Sequence, residues 1–207
     1  MTNLFLKAKH WQLFSMLIGL PILGYMIMFA LLFSYATTTN DLDDTTLKSF
    51  TVIIPAIVIL VMSILFGWFW SIAIGLQSKI PPTVKMKVNK FKVFFFIPIV
   101  YIFSVLVFMT LFGLSDFELN SDFNSVLPVG LLAIMLPLHF LSMFGIFYSL
   151  YFVAKTYKTA ELQREVSFSD FAGEFFMIWF YPVGIWFIQP KINEMVEGTP
   201  PIEVQYI

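Results

Sequence analysis

The chain has 207 residues, of which 59% are hydrophobic and only 12% charged, and its net charge is −1. Ordinary soluble domains carry about a quarter charged residues, so this composition points to an all-α, polytopic membrane protein and excludes a basic, nucleic-acid-binding one. With no cysteine, disulfide and thiolate chemistry are excluded as well.

Residues 1–10 carry Lys7 and Lys9 and lead into an apolar run, Leu13 to Ala36, that holds no charge. The run is long enough to cross about 30 Å of hydrocarbon and exceeds the roughly 7–15 residues of a secretory core. A signal-peptide reading draws on Ser34-Tyr35-Ala36, which has the small-x-small form of a cleavage site. A transmembrane span is the better reading, because the run has a counterpart: Pro21 with Phe14 seven residues ahead is matched by Pro98 with Phe91, 77 residues on.

The connection Thr37 to Phe50 holds Asp41, Asp43 and Asp44 against Lys48, which places it outside by the positive-inside rule. It lacks the Gly and terminal Glu of a calcium loop, so it reads as solvated and acidic. The second run, Val52 to Leu76, ends in Phe66-Gly67-Trp68-Phe69-Trp70-Ser71-Ile72. Here Gly67, Ser71 and Gly75 fall at i, i+4 and i+8, a stripe of small residues that permits close helix approach and predicts a packing seam.

Gln77 to Lys92 contains Lys79, Lys85, Lys87, Lys90 and Lys92 and the breaker pair Pro81-Pro82, and it reads as cytoplasmic. Anionic lipid is a candidate partner for these lysines, although topology alone accounts for them. The third run, Val93 to Leu114, leads to a second acidic connection with Asp116, Glu118 and Asp122. The fourth, Val126 to Ala154, contains Phe144-Gly145-Ile146-Phe147-Tyr148-Ser149-Leu150, which repeats the earlier motif at an offset of 78, and Lys155, Lys158 and Arg164 follow it. Ten of the 12 basic residues then lie on the inner segments, with the N-terminus cytoplasmic.

His139 is the one ionisable side chain deep in any of these four runs, and such a residue is a functional candidate by default. Ser142 and Ser149 fall within about 80° of it on a helix, forming a small polar face. A neutral histidine bonded to a neighbouring hydroxyl or carbonyl is the structural alternative, and a proton relay needs more ionisable groups than the four spans contain.

Ser167-Phe168-Ser169-Asp170 has the form of a helix start. Phe175 to Ile188 is then apolar for 14 residues and interrupted by Pro182 and Gly184. That length favours a re-entrant or interfacial helical segment over a fifth span, and Trp179, Tyr181 and Trp186 suit the headgroup level. The stretch Gly184-Ile185-Trp186-Phe187-Ile188-Gln189-Pro190-Lys191-Ile192-Asn193 resembles the C-terminal signature of uncharacterised small bacterial integral membrane proteins. The resemblance covers about 25 residues; it implies a bacterial cytoplasmic (inner) membrane and brings no activity or site.

The expected architecture is a single membrane domain of two tandem transmembrane hairpins, repeat 1 over about 11–77 and repeat 2 over about 91–155. A membrane-associated segment over about 168–192 and an exposed tail, 193–207, follow. An even number of spans per repeat gives parallel copies. Two functions fit: a structural, accessory or regulatory protein that packs against its own copies or a membrane partner, or a small transporter or channel with a path between the repeats near His139. The first is favoured because the spans hold so few polar groups. An intramembrane enzyme ranks last, since no His-Glu-x-x-His pair, orienting carboxylate or oxyanion donor is identifiable. The sequence calls for no cofactor, no metal site and no catalytic residue.

Overall fold

In the computed structural model, residues 2–38, 44–114 and 121–198 are described, and all regular structure among them is helical. Asp41, Asp43, Asp116, Glu118 and most of the expected tail, Pro200-Pro201 included, lie outside the described residues. The elements are α1 (Thr2–Lys7), α2 (His10–Phe14), a π-helical turn (Ser15–Gly19), α3 (Leu20–Thr38), α4 (Asp44–Gly75), a 3-10 turn (Leu76–Lys79), α5 (Val88–Leu114), α6 (Ser121–Leu162), α7 (Phe168–Trp179) and α8 (Tyr181–Glu197). Four helices are long and apolar enough to cross a membrane: His10–Tyr35, Lys48–Lys79, Val88–Leu111 and Ala133–Leu162.

Local chemistry explains the irregularities. Pro21 has no N–H to give Leu17, and just before it the chain widens to π geometry, with the Leu20 N–H bonded to the Ser15 carbonyl five residues back. The fourth hydrophobic helix runs past Ala154 for two further turns, because Lys155 to Leu162 contains no breaker and the Lys158–Glu161 pair lies along one helix face. It stops at Gln163, whose φ of 52° is left-handed, and whose side-chain amide donates to the carbonyls of Ala160 (2.6 Å) and Lys79 (2.8 Å).

The start of α7 matches the cap motif. The Ser167 N–H and hydroxyl both donate to Asp170 Oδ2, at 2.8 and 2.9 Å, while Arg164 reaches Oδ1 at 2.9 Å. The Arg164 guanidinium first, then the Ser167 donors, hold the Asp170 carboxyl well below the usual carboxylate range. A carboxyl with a depressed native pKa contributes stability that is present above its unfolded pKa and is lost as pH falls through the folded value. Asp170→Asn is therefore expected to fray the first turn of α7 at neutral pH, and acidification from pH 7 to 5 to leave wild-type α7 intact. Amide exchange over 168–172 checks both.

Between α7 and α8 the chain breaks at Phe180 (φ −87°, ψ 58°), and Gly184 lies so close to the Met177 carbonyl that a β-carbon there would overlap it. Because the obstacle is backbone, Gly184→Ala is expected to open the α7/α8 turn and destabilise the protein by about 3 kcal/mol or more; a melting midpoint unchanged from wild type would contradict this. The helix pair exposes Phe176, Trp179, Phe180, Val183, Trp186 and Phe187.

Two compact units are formed, each from separated stretches: Met1–Pro21, Met62–Val88 and Leu150–Ile207 in the first, Ile22–Val61 and Asn89–Ser149 in the second. The core of the first is apolar and aromatic, with Leu13, Trp68, Ile72, Phe171, Ile185 and Ile192 fully enclosed.

Candidate functional site

Within the first unit, the stripe of small residues on α4 is occupied by the chain's own N-terminal helix. The Phe5 ring lies against Gly67, a β-carbon there standing 2.8 Å from the ring edge, and Leu6 and Thr2 lie against Gly75. Ser71 is buried and donates to the Gly67 carbonyl at 2.8 Å, four residues back. α1 has only six residues, too few to persist alone, so its place on α4 depends on tertiary bonds.

Those bonds come from the far end of the chain. Gln189 is buried in α8 and its Oε1 accepts the Trp68 indole N–H at 2.8 Å. With the acceptor so engaged, Nε2 faces α1 and donates to the carbonyls of Phe5 (2.9 Å) and Ala8 (2.8 Å). One helical turn on, Asn193 Nδ2 donates to Leu6 (2.7 Å) and Ala8 (3.2 Å). Carbonyls at a helix C-terminus have no partner within the helix, and the two amides of α8, four residues apart, supply them. Ile185, Ile188 and Ile192 extend this face of α8 into the core. On the same side as the two amides, Trp186 packs on His10 and Phe14, with ring centroids 4.7 and 5.5 Å apart. The Gly184–Asn193 stretch is thus a docking element for residues 5–14.

Beside it, Lys158 bridges Glu161 (2.7 Å) and Glu174 (2.8 Å), and Glu161 also receives Lys191 at 3.1 Å. This chain of alternating charges ties α6 to both α7 and α8. Among the described residues, no three His, Asp or Glu side chains group as metal ligands.

In the second unit, α5 and α6 meet where Pro98 faces Gly145. Pro98 has no N–H, so the Phe94 carbonyl lacks its helical donor, and a β-carbon on Gly145 would stand 2.7 Å from that oxygen and 2.9 Å from the proline ring. The glycine lets the two backbones meet. Ser149, buried one turn on, donates to the Gly145 carbonyl at 2.8 Å. Phe94 also packs on Phe144 and Tyr148.

His139 is exposed and its Nδ1 lies 3.3 Å from the Tyr101 hydroxyl on α5, the rings in an edge arrangement at 63°. The three residues of the expected polar face therefore have different surroundings: Ser142 and Ser149 are buried, whereas His139 is exposed and bonded to another helix. Tyr101, Trp68, Gln189 and Asn193 were not singled out by sequence reasoning as polar partners. Gln189 and Asn193 did carry a legible signal, two amides at i, i+4 beside Ile185, Ile188 and Ile192. No family model, curated protein or solved structure matches the chain.

Proposed function

We propose that the chain is a multi-pass membrane protein of structural, accessory or regulatory type, acting through helix packing with copies of itself or with a membrane partner. One observation carries this reading: the serines, the indole and the glycine notches at the helix seams are taken up by internal packing, while the Tyr101–His139 pair sits where His139 is exposed. Ser71 and Ser149 bond to carbonyls of their own helices, Trp68 bonds to Gln189, and the glycine notches are filled by Phe5, Leu6 and Pro98. A solute path needs polar groups facing a common lumen, and these do not offer one.

A cytoplasmic N-terminus and an origin in two tandem hairpins belong to the same proposal, supported by the charge distribution and by the 77- and 78-residue offsets of the proline and Phe-Gly motifs, and the bacterial inner membrane belongs to it on the resemblance of the Gly184–Asn193 stretch alone. The exposed aromatic tip of the α7/α8 pair suits an interfacial or re-entrant segment. Lys79, Lys85, Lys87, Lys90 and Lys92 are exposed, an arrangement that suits anionic headgroups.

Purification of the full chain from its membrane in mild detergent, followed by mass measurement of the intact assembly, tests the reading. A homo-oligomer or a stoichiometric second protein is expected; a bare monomer would count against it. The second reading, a transporter or channel, draws on the Tyr101–His139 bond. It would be favoured by a proteoliposome flux that His139→Ala abolishes.

A further inference from the structure

Tyr101 stands within two residues of the middle of the Val88–Leu111 span and His139 near the middle of the apolar run Val126 to Ala154, and their bond sets both at one depth. That depth is the hydrocarbon centre of a bilayer about 30 Å thick. The surrounding surface is apolar and exposed: Phe108 on α5, and Leu136 and Met143 one turn to either side of His139 on α6. Ser104, one turn beyond Tyr101, is also exposed and has spent its proton on the Val100 carbonyl. This is a membrane-facing surface with a polar pair at its centre.

Counting donors and acceptors shows what the pair lacks. A tyrosine hydroxyl has one donor and two lone pairs; a neutral imidazole has one donor and one acceptor. If the hydroxyl donates to Nδ1, His139 keeps an Nε2–H donor and Tyr101 keeps both lone pairs. If Nδ1–H donates instead, Tyr101 keeps its O–H and one lone pair, and His139 keeps an acceptor at Nε2. In either tautomer one donor and two acceptor positions are left over, in a medium where unpaired polar groups are costly.

The leftover set is complementary to itself. A twofold axis along the membrane normal keeps every residue at its own depth, so a second copy would present the same donor and acceptor at the level where the first needs them. We propose that two copies of this chain associate through the α5/α6 face, with reciprocal hydrogen bonds between their Tyr101–His139 pairs as the polar anchor. This rests on the packing reading above and names its surface and its partner.

The absence of cysteine permits a direct test with the full chain in lipid nanodiscs and native membranes. Ser104→Cys and Met143→Cys are each expected to give a doubled mass with a short bis-maleimide, and Phe29→Cys on α3 is expected to give none. In a dilution series, Tyr101→Phe and His139→Leu should each weaken dimerisation about tenfold. His139→Gln, whose amide keeps a donor and an acceptor, should retain it, and unchanged melting would show that each variant folds. An intact dimer that neither thiol captures would overturn this face while leaving the packing reading standing. A different protein captured by the Ser104→Cys or Met143→Cys variant would overturn the second copy as its occupant. Full-strength dimers of His139→Leu would overturn the polar anchor, and a monomer with nothing bound would remove both this proposal and the reading beneath it.

Discussion

Gln189→Leu is expected to free the N-terminal helix and lower the stability of the protein by about 3 kcal/mol, since each buried polar group left without a partner costs roughly 1–3 kcal/mol. Leucine fills nearly the same space, so the loss is one of bonds. The buried Trp68 N–H would lose its acceptor and the Phe5 carbonyl its shorter bond, keeping only the Ala8 N–H at 3.3 Å, while Asn193 would still serve Leu6 and Ala8. Asn193→Ala is correspondingly milder, about 1 kcal/mol, because Gln189 still reaches Ala8 at 2.8 Å and Leu6 at 3.4 Å. Gln189→Glu separates the two halves of the clamp: a carboxylate can accept from Trp68, but it has no proton for the carbonyls and would face them as like charge. At neutral pH it is expected to be at least as damaging as leucine. Melting in detergent gives the magnitude, and limited proteolysis after Lys7 and Lys9 reports whether α1 has come away. Wild-type resistance in Gln189→Leu would mean that Phe5 and Leu6, packed on Gly67 and Gly75, hold α1 without the clamp.

This clamp shows where sequence reasoning reaches and where it stops. Hydropathy and charge order are local along the chain, and they mark the four long helices because each is long and apolar enough, over its own length, to cross a membrane. The Gly67-Ser71-Gly75 stripe is equally local, a property of one helix face. Its occupant is not: nothing near position 67 in the sequence says that Phe5 fills the notch. Gln189 bonds Trp68 across 121 positions and Phe5 across 184, and no periodicity spans such distances. Tyr101 was silent for a different reason. Aromatic residues abound in the spans, and a hydroxyl among them is conspicuous only when His139 is seen opposite. The fourth helix was underestimated at its end because Lys158, Glu161 and Gln163 read as a loop by polarity, whereas Lys158 and Glu161 find partners on α7 and α8.

The two Phe-Gly motifs are alike as strings, and they are expected to respond differently to the same substitution. Gly145→Ala places a β-carbon against the Phe94 carbonyl and the Pro98 ring, neither of which can turn aside; a cost of about 2 kcal/mol is expected, in the range for overpacking. Gly67→Ala meets only the edge of the Phe5 ring, a side chain that can rotate, and a cost below about 1 kcal/mol is expected. Pro98 supplies the control. Alanine at 98 restores an N–H for the Phe94 carbonyl and removes the ring, so α5 can draw that oxygen back into its own helix. In a double-mutant cycle, Gly145→Ala should then cost less than half as much in the Pro98→Ala background, a coupling of about 1 kcal/mol between residues in contact. Independent effects would mean that Gly145 is needed for some other approach than that of Pro98. Equal costs at 67 and 145 would mean that both motifs meet unyielding neighbours. The difference expected here follows from what each glycine touches: a backbone carbonyl freed by proline in the second unit, and a rotatable ring held in place by the Gln189 clamp in the first.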